Sequence, residues 1–301
     1  MSVHRITVAD LLSFLDGEHI KYTFEGNEET EIQGFSSLKN YRTGTFTWIK
    51  KCENIPEGFD TDIITLVFTS NEVPGCFNNV IKTADSKYAF FSAIEHFFGE
   101  REDYSSIGEF TYIGPQVKLG KNVRIGHNCS LDGDITIGDN CIIWNNVSII
   151  HRVSIGHDTE IQSGSVIGHD GFGYTENENH VKTMVKHFGG VSIGNNVLIS
   201  SNVCIVRGTI DDTVIEDGTK IDNLSHIAHN CHLGANVALA FPCFLGGSTT
   251  IKDNGYVAGG IIRNQCTIHE NGFVGMGAVV TKDVKENTIV IGNPAKEYHK
   301  K

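Results

Sequence analysis

Aliphatic residues recur every sixth position over most of this chain. Ile107, Ile113, Leu119, Ile125, Leu131, Ile137, Ile143, Ile149, Ile155, Ile161 and Ile167 keep one step. Gly follows the anchor at Gly108, Gly114, Gly120, Gly126, Gly138, Gly156 and Gly168, and a small or branched residue such as Cys129, Val147, Thr159 or Ser165 lies two before it. A helix would repeat apolar positions at about 3.6 residues and a flat strand at two. A step of six fits short parallel strands turned at regular Gly-containing corners, with the anchors stacked inside a solenoid. The step resumes at Ile193, Ile199 and Ile205, runs from Ile215 to Val257, and ends with Ile268, Val274 and Val280. Three hexads make one triangular coil, so residues 18 apart stack about 4.8 Å from one another along the axis.

Residues 1–100 lack this step and predict a small α/β domain ahead of the β-helix at 107–296. Thr7 to Asp10 is a capping-box start for a helix through Leu11, Leu12, Phe14 and Leu15, stopped by Gly17. Ile63 to Phe68 is an apolar run of strand length. Ser86 caps a second helix with Tyr88, Phe91, Ile94, Phe97 and Phe98 on its apolar face, ended by Gly99. A polar joint follows near Glu100 to Ser106. Two stretches interrupt the solenoid, His169 to Gly190 and Arg207 to Thr213. In the first, Phe172 and Tyr174 sit among glycines and predict a flap that contacts a ligand.

The 301 residues carry a net charge of −12, which argues against a nucleic-acid partner. No basic-then-apolar leader and no long apolar run is present, so neither signal peptide nor membrane span is expected, and the location expected is cytoplasmic. Cys129, Cys141, Cys231, Cys243 and Cys266 each lie two before an anchor and read as buried packing residues. The fourteen His form no HExxH or Cys/His spacing, so no metal is expected.

The repeat resembles the hexapeptide-repeat acyltransferases, and that resemblance implies a left-handed β-helix; the rule for parallel crossovers alone would give a right-handed one. The motifs Gly171-Phe172-Gly173-Tyr174, Phe188-Gly189-Gly190-Val191, Arg207-Gly208, Asp212-Thr213, Ile221-Asp222-Asn223 and Ile227-Ala228-His229-Asn230 are similar to the UDP-3-O-acylglucosamine N-acyltransferases of lipopolysaccharide (lipid A) synthesis. Gly34-Phe35-Ser36-Ser37-Leu38 and Gly44-Thr45-Phe46-Thr47-Trp48 match their nucleotide-binding segment in spacing. The resemblance implies that Trp48 stacks on the base with Lys51 and Asn54 nearby, that Asp222 and Asn223 lie on the substrate side, and that the chain forms a homotrimer with active sites between neighbouring β-helices. Asp222 fits an exposed corner acid equally well. The family's second His, late in the helix, has no counterpart: that region reads Arg263-Asn264-Gln265-Cys266, one residue short. The ending, Gly277 to Val284 and then Gly292-Asn293-Pro294-Ala295-Lys296, is instead similar to coenzyme A-dependent hexapeptide sugar acetyltransferases, and the helices that engage acyl carrier protein are not seen.

Acyl transfer from a thioester needs a base for the nucleophile's proton and donors for the oxyanion. His229, two past anchor Ile227, sits at a corner from which it can leave the barrel, and Gly247 lies 18 residues on, one coil above. The family's motif puts the base and the oxyanion donor at these two positions. Gly259 and Gly277, also 18 apart, could let a pantetheine arm approach the backbone, with Lys282 and Lys296 toward the phosphates. The reading is an N-acetyltransferase moving a short acyl group from acetyl-CoA to a nucleotide-linked amino sugar. The alternatives are the acyl-carrier-protein-dependent lipid A reaction and a non-catalytic sugar-binding β-helix.

Overall fold

The computed structural model describes residues 5–70, 77–99 and 107–298, which fall in two compact units, Met1–Glu102 and Asp103–Lys301. The joint expected near Glu100 to Ser106 lies outside the described residues.

In the first unit, a sheet runs in the order Tyr22–Glu25, Val80–Thr83, Leu66–Thr69, Phe46–Ile49. Helix α1 (Val8–Gly17) starts as expected: the Thr7 side chain accepts from the Asp10 N–H, and Asp10 accepts from the Thr7 N–H. Helix α2 (Ser86–Phe98) is capped by Asp85 rather than Ser86. Its buried face is Ser86, Ala89, Phe90 and Ala93, while Tyr88 and Phe91 are exposed. Of the expected face, Ile94, Phe97 and Phe98 pack partly buried against the core and Tyr88 and Phe91 turn outward, because small Ala89 and Ala93 let α2 lie close to the sheet. The apolar run begins as a 3-10 turn, Thr61–Ile63, and becomes strand only at Leu66–Thr69.

The second unit is a parallel β-helix whose three faces hold nine, eight and ten strands. The first face runs from Tyr112–Ile113 to Val279–Val280, the second from Lys118–Leu119 to Thr267–Ile268, and the third from Arg124–Ile125 to Ile289–Ile291 with an antiparallel last strand, Lys296–Tyr298. Pairs such as Leu131 with Ile149 and Ile149 with Ile167 show the 18-residue coil. Anchors from Ile125 onward are buried in one continuous column, and the five cysteines named above join it. Ile107 and Leu119, in the first coils, are partly exposed.

The corners differ from the expectation in one respect. The residue with positive φ is the third after most anchors, and it is mostly Asn: Asn128 (55°), Asn146 (59°), Asn202 (57°) and Asn230 (57°). Asn tolerates this region because its short side chain hydrogen-bonds locally. The Gly after the anchor serves a second need. A Cβ at Gly138 would lie 2.7 Å from the carbonyl carbon of Gly156 in the next coil. The short coil is also relocated. Ala240 pairs with Ala258 at the full step, but Leu245 pairs with Ile262, so the missing residue is at Gly259–Gly260 and not at Arg263 to Cys266.

Gly138→Ala tests the packing of coil on coil. The added methyl meets backbone, so a loss of about 1–3 kcal/mol is expected in chemical denaturation. An unchanged midpoint would show that the coils part freely.

Candidate active site

His229 lies where the first face turns to the second, between strands His226–Ile227 and His232–Leu233. Asn230 occupies the left-handed corner position, and its side chain sets the imidazole. Asn230 Oδ1 accepts from the Thr209 N–H at 3.1 Å and the Thr209 hydroxyl at 2.8 Å, and Asn230 Nδ2 donates to the Asp211 carbonyl at 3.1 Å. These partners fix which end of the amide is oxygen. That oxygen lies 3.1 Å from His229 Nδ1, so in the neutral ring Nδ1 carries the proton and Nε2 the lone pair.

Gly247 stands one coil above, and a Cβ there would lie 2.6 Å from both Cε1 and Nε2 of His229. His229 Nε2 therefore rests against Gly247, and a side chain at that position would collide with it. Together they line a cleft of about 560 Å³ walled by Phe172, Phe244, Ile261, Arg263 and Gln265. Phe172, 82% exposed, is the flap residue that reaches this cleft, and Tyr174 meets it edge-on at 5.7 Å. Tyr174–Glu176 pairs with Lys182–Met184 as a hairpin.

Under the flap lies a polar cluster that the sequence reading did not single out. Arg207, 13% exposed, bonds Asp170 at 2.6 Å. Burial by itself would raise the Asp170 carboxyl, but hydrogen bonds from Arg207 and the His187 N–H, with the charge of Arg207, hold it below its ordinary range. His187 is fully buried, with its ring edge-to-face on His229 at 5.4 Å. Nothing periodic marks His187; only its place at the end of a long interruption does.

The other expected site residues lie elsewhere. Asp222 and Asn223 are at the corner between the third and first faces. There Asp222 accepts from the Asn223 and Phe241 N–H groups, and Asn223 Oδ1 accepts from the Ser201 N–H. Gly259 and Gly277 stack, with the Gly277 N–H donating to the Gly259 carbonyl at 3.0 Å, but on that same other corner and not beside His229. Lys282 lines a separate cleft of about 180 Å³ with Asp283, Lys285 and Glu297, a mixture of both signs. Lys296 pairs opposite Ile291 in the last strand. In the first unit, Trp48 is partly buried in the sheet core; its Nε1 donates to the Ser86 hydroxyl at 2.9 Å and its ring meets Phe91. Lys51 is exposed, its N–H on Asn54 Oδ1. His226 stacks on Phe244, and burial pushes its pKa down; His232 bonds Glu216 at 2.6 Å.

Residues 134–169 and 212–247 match the bacterial transferase hexapeptide family (six repeats), and residues 116–150 match the hexapeptide repeat of succinyl-transferase. The chain is 40% identical over 131 residues to the UDP-3-O-acylglucosamine N-acyltransferase of Delftia acidovorans, covering 43% of this chain and 39% of that one. It is 58% identical over 81 residues to the enzyme of the same name from Saccharophagus degradans, covering 27% and 23%. The matched stretches thus span less than two-fifths of these relatives. The structure of Arabidopsis UDP-N-acetylglucosamine acyltransferase superimposes with a TM-score of 0.55 at 26% identity, covering 65% of this chain and 70% of that one. The fold is the left-handed parallel β-helix of hexapeptide repeats. The relatives also overturn the acetyl-CoA expectation. They are named for N-acylation of an acylated UDP-glucosamine.

Asp170 gives a pH signature. Its folded pKa is depressed, so the stabilisation is present above the ordinary carboxylate range and is lost as pH falls through the lowered value. Asp170→Asn is expected to flatten the acid side of the stability–pH curve between roughly pH 5 and 2. Parallel curves for both proteins would show that the Arg207 contact contributes nothing.

Proposed function

We propose that this chain is an N-acyltransferase acting on a UDP-3-O-acylglucosamine-type amino sugar, with the thioester of an acyl carrier protein as donor. The observation that carries this reading is the setting of His229. Asn230 Oδ1 meets its Nδ1, and its Nε2 lies against Gly247 in an open cleft lined by Phe172, Phe244, Ile261, Arg263 and Gln265. The similarity to UDP-3-O-acylglucosamine N-acyltransferases supports the substrate class.

In this reaction the amine attacks the thioester carbonyl, forming the C–N bond, and His229 Nε2 takes the amine proton. The Gly247 N–H faces the developing oxyanion. Collapse breaks the C–S bond, and the imidazolium returns its proton to the departing thiolate. Phe172 and Tyr174 cover the reacting groups, and the first unit, through Trp48 and Lys51, serves the nucleotide. A homotrimer with the site between neighbouring helices completes the reading and supplies a role for Asp222 and Asn223 on the opposite corner. No helix among the described residues is long and apolar enough to cross a membrane.

The test is thiol release from acyl-acyl carrier protein in the presence of UDP-3-O-acylglucosamine. His229→Ala is expected to lower kcat by about 10²–10⁴-fold with the fold intact. Near-normal turnover by the folded variant would remove His229 from the chemistry.

A further inference from the structure

A second imidazole in the site is left over by that reaction. His187 is fully buried, and its Nε2 makes no hydrogen bond among the described residues. Its Nδ1 lies 3.0 Å from the Val185 carbonyl. A carbonyl only accepts, so Nδ1 carries the proton and Nε2 is a bare acceptor. A buried acceptor without a donor is costly, so its presence calls for an explanation. Its direction supplies one. A Cβ placed on Gly171 would lie 2.9 Å from His187 Nε2 and 3.3 Å from His229 Cδ2, so both atoms face the same glycine. The rings meet at 84° with centroids 5.4 Å apart.

We propose that His187 is a positioning residue for the acyl transfer: its lone pair, held beside the His229 ring and away from water, stabilises the imidazolium that forms when His229 takes the amine proton. The inference rests on His229 being the base. The geometry separates it from simple packing, since a phenyl ring would fill the same space without presenting a lone pair. The low dielectric around a buried group strengthens such a dipole–charge interaction. The other charges facing the pair are Asp170 and Arg207 on the His187 side, joined to each other, and Arg263 on the cleft wall. The Asp170–Arg207 pair is internally neutralised and Arg263 disfavours a second positive charge, so the lone pair adds to the Asn230 Oδ1 acceptor on Nδ1 in favouring one.

The experiment uses ¹⁵N-histidine-labelled full-length protein. In the wild type at neutral pH, the His187 Nε2 resonance should be that of an unprotonated nitrogen. A protonated His187 Nε2 at neutral pH overturns the proposal without any variant. His187→Phe, which keeps a ring, should lower the His229 pKa, move the acid limb of kcat/KM to lower pH by about half a unit, and reduce kcat about threefold with KM little changed. His187→Gln, which restores an acceptor, should recover part of the loss. Should His187→Phe not fold, the wild-type resonance and His187→Gln still decide the matter. An unchanged His229 titration and pH profile in His187→Phe shows packing alone. Activity surviving in His229→Ala would instead show that the reading beneath the proposal has failed.

Discussion

The parallel backbone pairing of each coil with the next governs everything else in the second unit. Once Leu131 pairs with Ile149 and Ile149 with Ile167, each face becomes a ladder whose spacing no side chain can alter. Corners must then close at a fixed length, which calls for a left-handed residue three after most anchors and no Cβ directly after several of them. The active corner is built from these same requirements. Asn230 is a corner residue like Asn128 or Asn202, and its amide is put to a second use as the acceptor for His229 Nδ1. Gly247 follows a glycine already required by the coil, and its own missing side chain leaves room for the imidazole.

The solenoid was legible because its signal repeats. Each hexad restates the same inward anchor, so the errors were local ones. Asn makes the turn while Gly makes room, and the missing residue at Gly259–Gly260 was assigned four residues too late because only the pairing register locates it. The first unit was less legible. A short helix such as Ser86–Phe98 carries aromatics all round, so periodicity could not tell that Ala89 and Ala93 face the sheet while Tyr88 and Phe91 do not.

The site was legible in part. That Gly247 lies above His229 follows from coil arithmetic, since residues 18 apart are neighbours, while the choice of this pair came from the family resemblance. Phe172 reaches their cleft although its loop has no period, because glycines mark it. His187, Asp170 and Arg207 come together only through the chain path of two interruptions. The acetyl-CoA expectation was overturned by the relatives and not by the coil geometry. Gly259 and Gly277 are stacked as expected, on a different corner of the triangular coil from His229.

The central claim is that this corner joins an acyl group to a sugar nitrogen. Its most direct measurement is the structure of the product formed from acyl-acyl carrier protein and UDP-3-O-acylglucosamine, determined by mass spectrometry with fragmentation. One added acyl group in amide linkage on the sugar nitrogen is expected. An acyl group in ester linkage on a sugar hydroxyl, or no acylated product from folded protein, would contradict the account.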